Sequence, residues 1–316
     1  MSWKICNSIN WEKFISSKKL YSFYNIEDYS KINKYEKWEI LYLLNYKNNT
    51  PVSGCKLCLK SKFKIKIIYL PGGIEGEINA EVIDSLASFL KNYFGFFFVS
   101  LIDLHQKYET NIKSQMWKKL YKKYFKTVYK NLDIDAKTLS STFSKNFRHN
   151  VKRSNKYNLK TRINCSPNIE EILNLHLNMK NFKNLPYTFT LNKLKNNIKL
   201  LNKNCICFET RKDNILISFR AIIIHNDVAW DYLAFTSQEG RKIYASYNLI
   251  NFIFEYCIRK NIKVFDLSGI DKINNIGVYN FKIGTGGEIY HRLGHLHYAP
   301  LFFLKYLFTI FYALKY

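Results

Sequence analysis

The stretch CICFETRKDNILISFRAIIIHNDVAWDYLAFT, residues 205–236, holds three apolar runs separated by RKDN (211–214) and HND (225–227). Asp and Asn tolerate the left-handed backbone of tight turns, so both separators read as turns. The runs are short and rich in Ile, Phe and Val, which reads as strand. Together they predict a three-stranded antiparallel meander. Arg220 falls inside the middle strand, where a charge is costly unless it is paired or faces a site. Working outward, YASYNLINFIFEYCIRKNI (244–262) has the spacing of an apolar helix. KVFDLSG (263–269) then reads as a strand carrying Asp266 towards its end.

The same signals recur upstream. KLCLKSKFKIKIIYL (56–70) reads as a hairpin or strand, and PGG (71–73) stops it. EINAEVIDSLASFLKNYF (77–94) has helical spacing, and GFFFVSLIDL (95–104) is a buried strand. Strand, glycine turn, helix and strand form one βαβ-like unit. Residues 1–50, with Trp3, Trp11, Phe14, Tyr21, Phe23 and Trp38, read as helical. Two helices are expected over 170–180 and 191–201.

A chain of 316 residues suggests about two domains. Its net charge of +25 points to an anionic partner: RNA, a phosphorylated small molecule or an anionic membrane. The richness in Lys, Asn, Ile, Tyr and Phe is also what an A/T-rich genome yields, so charge alone does not decide. Basic residues with interleaved aromatics fill 118–131, and Lys145, Arg148, His149, Lys152, Arg153 and Lys156 crowd one helical segment, for which Ser140 or Ser141 is the expected cap. Few acidic residues neutralise that face, which favours an anion contact. Seven irregularly placed Cys give no disulfide framework. CKLC (55–58) has no second ligand pair, so no metal is expected, and Cys205 and Cys207 alternate as core residues of a strand. MSWKICNSINWEKF has no apolar core segment, so a reduced cytoplasmic location is expected. The apolar tail, 301–316, is too short to span a bilayer. As a helix it puts Lys305, Thr309, Tyr312 and Tyr316 on one side and Phe, Leu and Ile on the other. It either packs on the domain or lies on the inner face of an anionic membrane.

FDLSGIDKINNIGVYNFKIGTGGEIYHRLG (265–294) carries six of the chain's 12 Gly: Gly269, Gly277, Gly284, Gly286, Gly287 and Gly294. Such a cluster reads as a loop shaped for a ligand or as a demanding set of turns. On it sits the pair Phe281–Lys282. None of the seven His falls in a readable Ser/Cys/His arrangement.

Meander, helix and strand in this order are the core order of the GNAT acyltransferase fold. The second half resembles the FemABX aminoacyltransferases, which are similar to a tandem pair of GNAT domains. Asp266, Leu267, Gly269, Tyr279, Phe281, Lys282, Gly286 and Gly287 fall on that family's closing motif. Lys145, Arg148, Lys152, Ser154 and Lys156 resemble its basic segment. IYLPGGIEG (68–76) resembles its Tyr-Leu-Pro-x-Gly-Pro turn, with Ile74 where Pro is usual.

The resemblance implies an α/β, mixed α+β fold of two GNAT-like domains, 1–130 and 131–299, each a mostly antiparallel sheet flanked by helices, with a cleft between them. The terminal helix, 300–316, would return to the first. The implied activity is transfer of an aminoacyl group, carried by aminoacyl-tRNA, to an amine of a nucleotide- or lipid-linked envelope precursor such as a peptidoglycan peptide, with no bound cofactor. Ester aminolysis needs positioning and oxyanion stabilisation more than covalent machinery. Lys282 on its loop suits a phosphate or the developing oxyanion. Asp266 is a base, a group that orients the amine, or the cap of the next turn. Tyr279, Phe281, Gly286, Gly287, Arg220 and Arg241 are the expected substrate contacts, and Lys145, Arg148, Lys152 and Arg153 the anion contacts.

Acyl-CoA is the alternative donor, with an amino sugar of surface polysaccharide as acceptor. CoA-dependent GNAT proteins hold pyrophosphate on an (Arg/Gln)-x-x-Gly-x-(Gly/Ala) turn before a helix. RKIYAS (241–246) matches at Arg241 but has Tyr244 where the Gly should be. That disfavours CoA. A non-enzymatic RNA-binding protein using 118–160, or a membrane scaffold, are the readings outside enzymes.

Overall fold

The computed structural model describes residues 2–107, 112–120, 126–183 and 189–315. Two compact units emerge, one of residues 1–125 with 291–316 and one of residues 126–290.

In the first unit, β1 (Ser2–Cys6), α1 (Ser8–Ser16) and α2 (Glu27–Tyr35) precede a meander of β2 (Glu39–Lys47), β3 (Thr50–Lys62) and β4 (Ile65–Leu70). The helical expectation for residues 1–50 is therefore corrected: β1 and β2 are strands paired antiparallel. Leu43 and Leu44 of β2 are both buried, so the strand shows no alternation that would betray it in sequence. Phe63 and Lys64, both at positive φ, turn β3 into β4. The Pro-Gly-Gly turn leads through β5 (Ile74–Gly76) into α3 (Ala80–Phe94), whose Asn79 cap accepts from Val82 N at 2.9 Å. Val82, Ile83, Leu86, Ala87 and Leu90 form the buried stripe of α3. β6 (Phe98–Lys107) then pairs parallel with β4. β7 is the short strand Lys118–Lys119. The basic aromatic stretch 118–131 lies partly outside the described residues, at 121–125.

The CKLC pair falls within β3. Cys55 and Cys58 are an odd number of residues apart on a regular strand, hence on opposite faces and unable to share a ligand. Lys56 of the same strand is fully buried. Its ammonium donates to Asn33 Oδ1 at 2.9 Å and Ser30 Oγ at 3.3 Å. Burial lowers its pKa to about 8.

The second unit begins with β8 (Lys126–Asn131), α4 (Lys145–Ser154), β9 (Lys160–Ile163), α5 (Ile169–Lys183) and α6 (Leu191–Leu201). The cap of α4 is Ser144, which accepts from Phe147 N, and not Ser140 or Ser141, which belong to a preceding 3-10 turn. β10 (Cys205–Lys212), β11 (Ile215–His225) and β12 (Val228–Thr236) are the expected meander. Asp213, Asn214 and Asn226 take the left-handed turn positions. α7 (Gln238–Lys242) and α8 (Ala245–Arg259) lead to β13 (Val264–Ile270) and α9 (Ile276–Gly284). Strand order is β8-β13-β12-β11-β10-β9, with β12–β13 the parallel pair.

Helices cover both faces of this sheet. Phe208, Ile222, Ala229 and Phe265 meet Leu249, Ile250, Ile253 and Phe254 of α8. Each such buried side chain contributes roughly 2 kcal/mol of apolar transfer. Cys207, Phe219, Ala221 and Leu233 pack with α5 and α6 on the other face. The alternation of neighbours between the two cores is the period of a strand. β14 (Glu288–Tyr298) and α10 (Phe302–Lys315) close the chain; from His291 on they belong to the first unit, where β14 pairs antiparallel with β6 and β7.

Candidate active site

β12 and β13 pair only at Val228↔Val264, Ala229↔Phe265 and Trp230↔Asp266, although both strands run on. Past that point they part. On the β12 side of this parting is a cavity of about 490 Å³, lined by residues of β11, β12, α5, α8 and α9 and by Arg241 of α7.

A bulge in β12 shapes one wall. Its register against β11 shifts between Ala221 and Ile222, leaving Tyr232 as the extra residue. The bulge brings Asp231, Ala234 and Thr236 onto one face, beside Arg220 of β11. Arg220 donates to Asp231 Oδ2 in a buried ion pair. Its guanidinium also stands 5.3 Å from the Phe281 ring. Asp231 Oδ1 has no hydrogen-bond partner and is buried. The backbone of Asp231 accepts from Ser268 Oγ at 2.7 Å, a link across the parted strands.

Lys282 is not on a loop. The expectation is corrected: Tyr279, Phe281 and Lys282 lie on α9, capped by Asn275. Asn275, Gly277, Val278, Phe281 and Lys282 give the cavity one face of that helix. Lys282 Nζ donates to Gly269 O at 2.8 Å. Burial pulls its pKa down to about 8, while the charges of Asp231 and Asp266 hold the ammonium form. It is therefore protonated at neutral pH and gives up its proton within a mildly alkaline range. Lys183 and Arg241 complete the lining cations; burial and the two arginines lower the Lys183 pKa. Four cations against one carboxylate give the lining a net positive charge.

Asp266 does not line the cavity. It accepts from Thr127 Oγ1 and, at 2.8 Å, from Ser268 N, and so holds the bulge of β13, where Ser268 is left-handed. Tyr279 packs against the core on the α8 side of the sheet, with Lys272 over its ring at 5.8 Å. Gly286 and Gly287 are also outside the lining. Gly286 has φ +75°, and a Cβ there would sit 1.9 Å from Thr142 O; one on Gly287 would meet Val128 Cγ1 at 2.5 Å. These two glycines let backbone pack on β8 and the turn before α4. Lys130 of β8, fully buried beside them, donates to Thr142 Oγ1 at 2.5 Å.

Tyr244 stands before α8 at φ +62°, the left-handed backbone a glycine would supply. Its hydroxyl accepts from Arg153 Nη1 at 2.9 Å, and its ring lines the cavity. On α4, Lys145, Arg148, His149 and Lys152 edge a separate open cavity of about 550 Å³. Arg148 is partly committed, donating to Ser141 O and Phe143 O. Of the sequence-derived candidates, Arg220, Arg241, Phe281 and Lys282 meet in one cavity. Asp231, Lys183 and Ser246 join them without having been foreseen. A usable signal for Asp231 existed: the HND turn sets Ile222 opposite it, diagonal to Arg220 on the same face. Among the described residues no group of His, Cys, Asp or Glu is arranged to hold a metal.

Residues 178–312, which include the whole cavity, match the model of the FemAB family. The fold matches a crystal structure of FemX with a TM-score of 0.82 at 13% identity, over 98% of this chain and 99% of that one. It also matches a tandem GNAT protein from the clavulanic acid biosynthesis pathway (0.54, 8%, over 95% and 98%) and L-PGS from Bacillus licheniformis (0.50, 11%, over 85% and 88%). No curated protein matches by sequence. Residues 178–312 are thus FemAB-like, and the fold is the mixed α/β, mostly antiparallel one shared with FemX and the tandem GNAT protein.

Proposed function

We propose that the protein is an N-acyltransferase of the FemABX type, moving an aminoacyl group from aminoacyl-tRNA to an amine of a cell-envelope precursor such as a peptidoglycan peptide. The observation that carries this reading is Lys282, held on α9 by Gly269 O at the point where β12 and β13 part. The acceptor amine adds to the ester carbonyl, the oxygen becomes anionic, and the Lys282 ammonium stabilises it. The C–O bond to the ribose then breaks, and the leaving hydroxyl takes the proton the amine releases. Arg241 and Lys183 suit phosphates of the donor. Asp231 Oδ1 is the acceptor available to an incoming ammonium, with Arg220 fixing the carboxylate. The basic face of α4 suits the tRNA backbone, and charged tRNA puts the reaction in the cytoplasm.

Tyr244 supports this donor over acyl-CoA: it stands at the left-handed position before α8 where a glycine would let pyrophosphate approach the helix N-terminus. The test incubates the purified protein with a charged tRNA pool or with acetyl-CoA, adding a peptidoglycan precursor or an amino sugar. Discharge of tRNA that requires the precursor is expected, with loss on Lys282→Ala. Transfer from acetyl-CoA with tRNA inert would overturn the reading.

A further inference from the structure

The terminal helix α10 packs on its own domain through a mixed face, which holds Lys305 and Thr309 together with Leu304 and the partly buried Phe308. Lys305 Nζ donates to Met116 O at 3.2 Å, and Thr309 Oγ1 meets His297 Nε2 at 3.2 Å. Leu304 is buried against Val99 and Ala299. Other apolar residues face outward: Phe302 is 83% exposed, Tyr306 61% and Leu307 58%, with Phe303 and Ile310 beside them. These positions follow i, i+1, i+4, i+5, i+8, one continuous stripe. The expected split of the helix, Lys305 and Thr309 on one side and Phe, Leu and Ile on the other, is corrected: Leu304 and Phe308 share the protein-facing side with Lys305 and Thr309. Tyr316 lies outside the described residues, and the side chain of Tyr312 is not described.

The stripe does not stand alone. Tyr298 of β14 pairs with Ser100, and Lys66 of β4 pairs with Phe98. α10 therefore starts at the sheet end where β4 and β6 also start. That end carries the β3–β4 hairpin tip, with Phe63 87% exposed, and the exposed pair Phe96 and Phe97 before β6. Lysines stand over these rings: Lys62 at 5.4 Å from Phe63 and Lys91 at 5.0 Å from Phe96. No Asp or Glu occurs in 59–74, 85–102 or 289–316. Exposed aromatics among these lysines, with Glu36 and Glu39 set back beside Leu59 and Lys60, are poorly served by water and well served by the boundary of a negatively charged bilayer.

We propose that this end of the first unit docks on an anionic lipid surface, with α10 lying in the interface plane, the Phe63 tip and Phe96–Phe97 inserted, and the hairpin lysines among the headgroups. No helix among the described residues is long and apolar enough to cross a membrane, so the contact is peripheral. The inference does not rest on the transfer reaction and is read without any substrate.

The test is co-sedimentation of the full chain with vesicles of phosphatidylcholine, with and without phosphatidylglycerol. Binding to the anionic vesicles is expected, falling at least about tenfold in the double variant Phe302→Glu, Leu307→Glu, whose exposed sites leave the circular dichroism spectrum unchanged. Lys62→Glu with Lys64→Glu should cost about fivefold per lysine on the anionic vesicles alone. Wild-type protein left in the supernatant, equal binding to both vesicles, or a double variant that sediments like wild type would each overturn the proposal. So would self-association in solution abolished by the double variant without vesicle binding, which would make the stripe a contact between copies.

Discussion

In the first unit the parallel pair β4–β6 keeps register over five residues, from Lys66↔Phe98 to Leu70↔Ile102; in the second, β12–β13 stops after three. The rest of the plan is shared: a meander, a helix, a parallel strand and an antiparallel neighbour. Each middle strand even carries a buried cation. Lys56 is satisfied by neutral Asn33 and Ser30, whereas Arg220 pairs with Asp231 and faces a cavity. A charge inside a strand is thus no mark of a site. The site appears where the ladder fails and its edges stay open.

Several substitutions can break that contrast. Arg220→Met leaves Asp231 buried without its partner and should lower unfolding stability by about 3–5 kcal/mol in urea titrations. A loss under 1 kcal/mol, by the same principle, would mean the pair is wet and the wall of the cavity soft. Lys282→Ala should cut transfer about 100- to 1000-fold at unchanged thermal midpoint, while Lys56→Met leaves the rate alone. Equal effects would erase the distinction between the two cations. With Lys282 intact, the rate should fall as pH rises past about 8, where its ammonium deprotonates.

Glu75, buried in the first unit, sharpens the comparison from the other side. Burial raises its carboxyl to about 7 despite hydrogen bonds from Ser22 N and Asn25 Nδ2. The folded state therefore binds more protons than the unfolded one between about pH 4.5 and 7, and stability falls as pH rises through that window. Glu75→Gln should remove the fall, leaving the variant more stable at pH 8 by on the order of 2 kcal/mol and no more stable below pH 4.5. A parallel pair of stability–pH curves would refute it. The smallest effects test the glycines. Gly286→Ala should cost about 1–2 kcal/mol, because its backbone is left-handed and a Cβ meets Thr142 O. Gly277→Ala, with nothing within 4 Å of the new Cβ, should gain up to about 0.5–1 kcal/mol.

The meander of the second unit was legible because Asp and Asn mark both turns and each run is short. The βαβ order of the first unit was legible for the same reason, through Pro71, Gly72 and Gly73. α9 was not. Gly277 and Gly284 lie within it, and their presence outweighed the helical spacing of Val278, Phe281 and Lys282. β1 and β2 were hidden because neither shows a clean alternation. Arg220, Arg241, Phe281 and Lys282 could be named singly, but the β12 bulge that brings Ala234 and Thr236 onto the face of Asp231 leaves no mark in composition.

One feature of connectivity sets an order of assembly. β6 of the first unit needs β14 as its neighbour, and Ser100 and Tyr298, joined at Ser100 Oγ to Tyr298 O, are 198 residues apart. The second unit, 126–290, is continuous in the chain. Synthesis at about 5–20 residues each second delivers that unit ahead of residues 291–298, the part of β14 that pairs with β6. The first unit then waits with one edge of its sheet unpaired, open to chaperones and to mispairing, until the chain has passed residue 298.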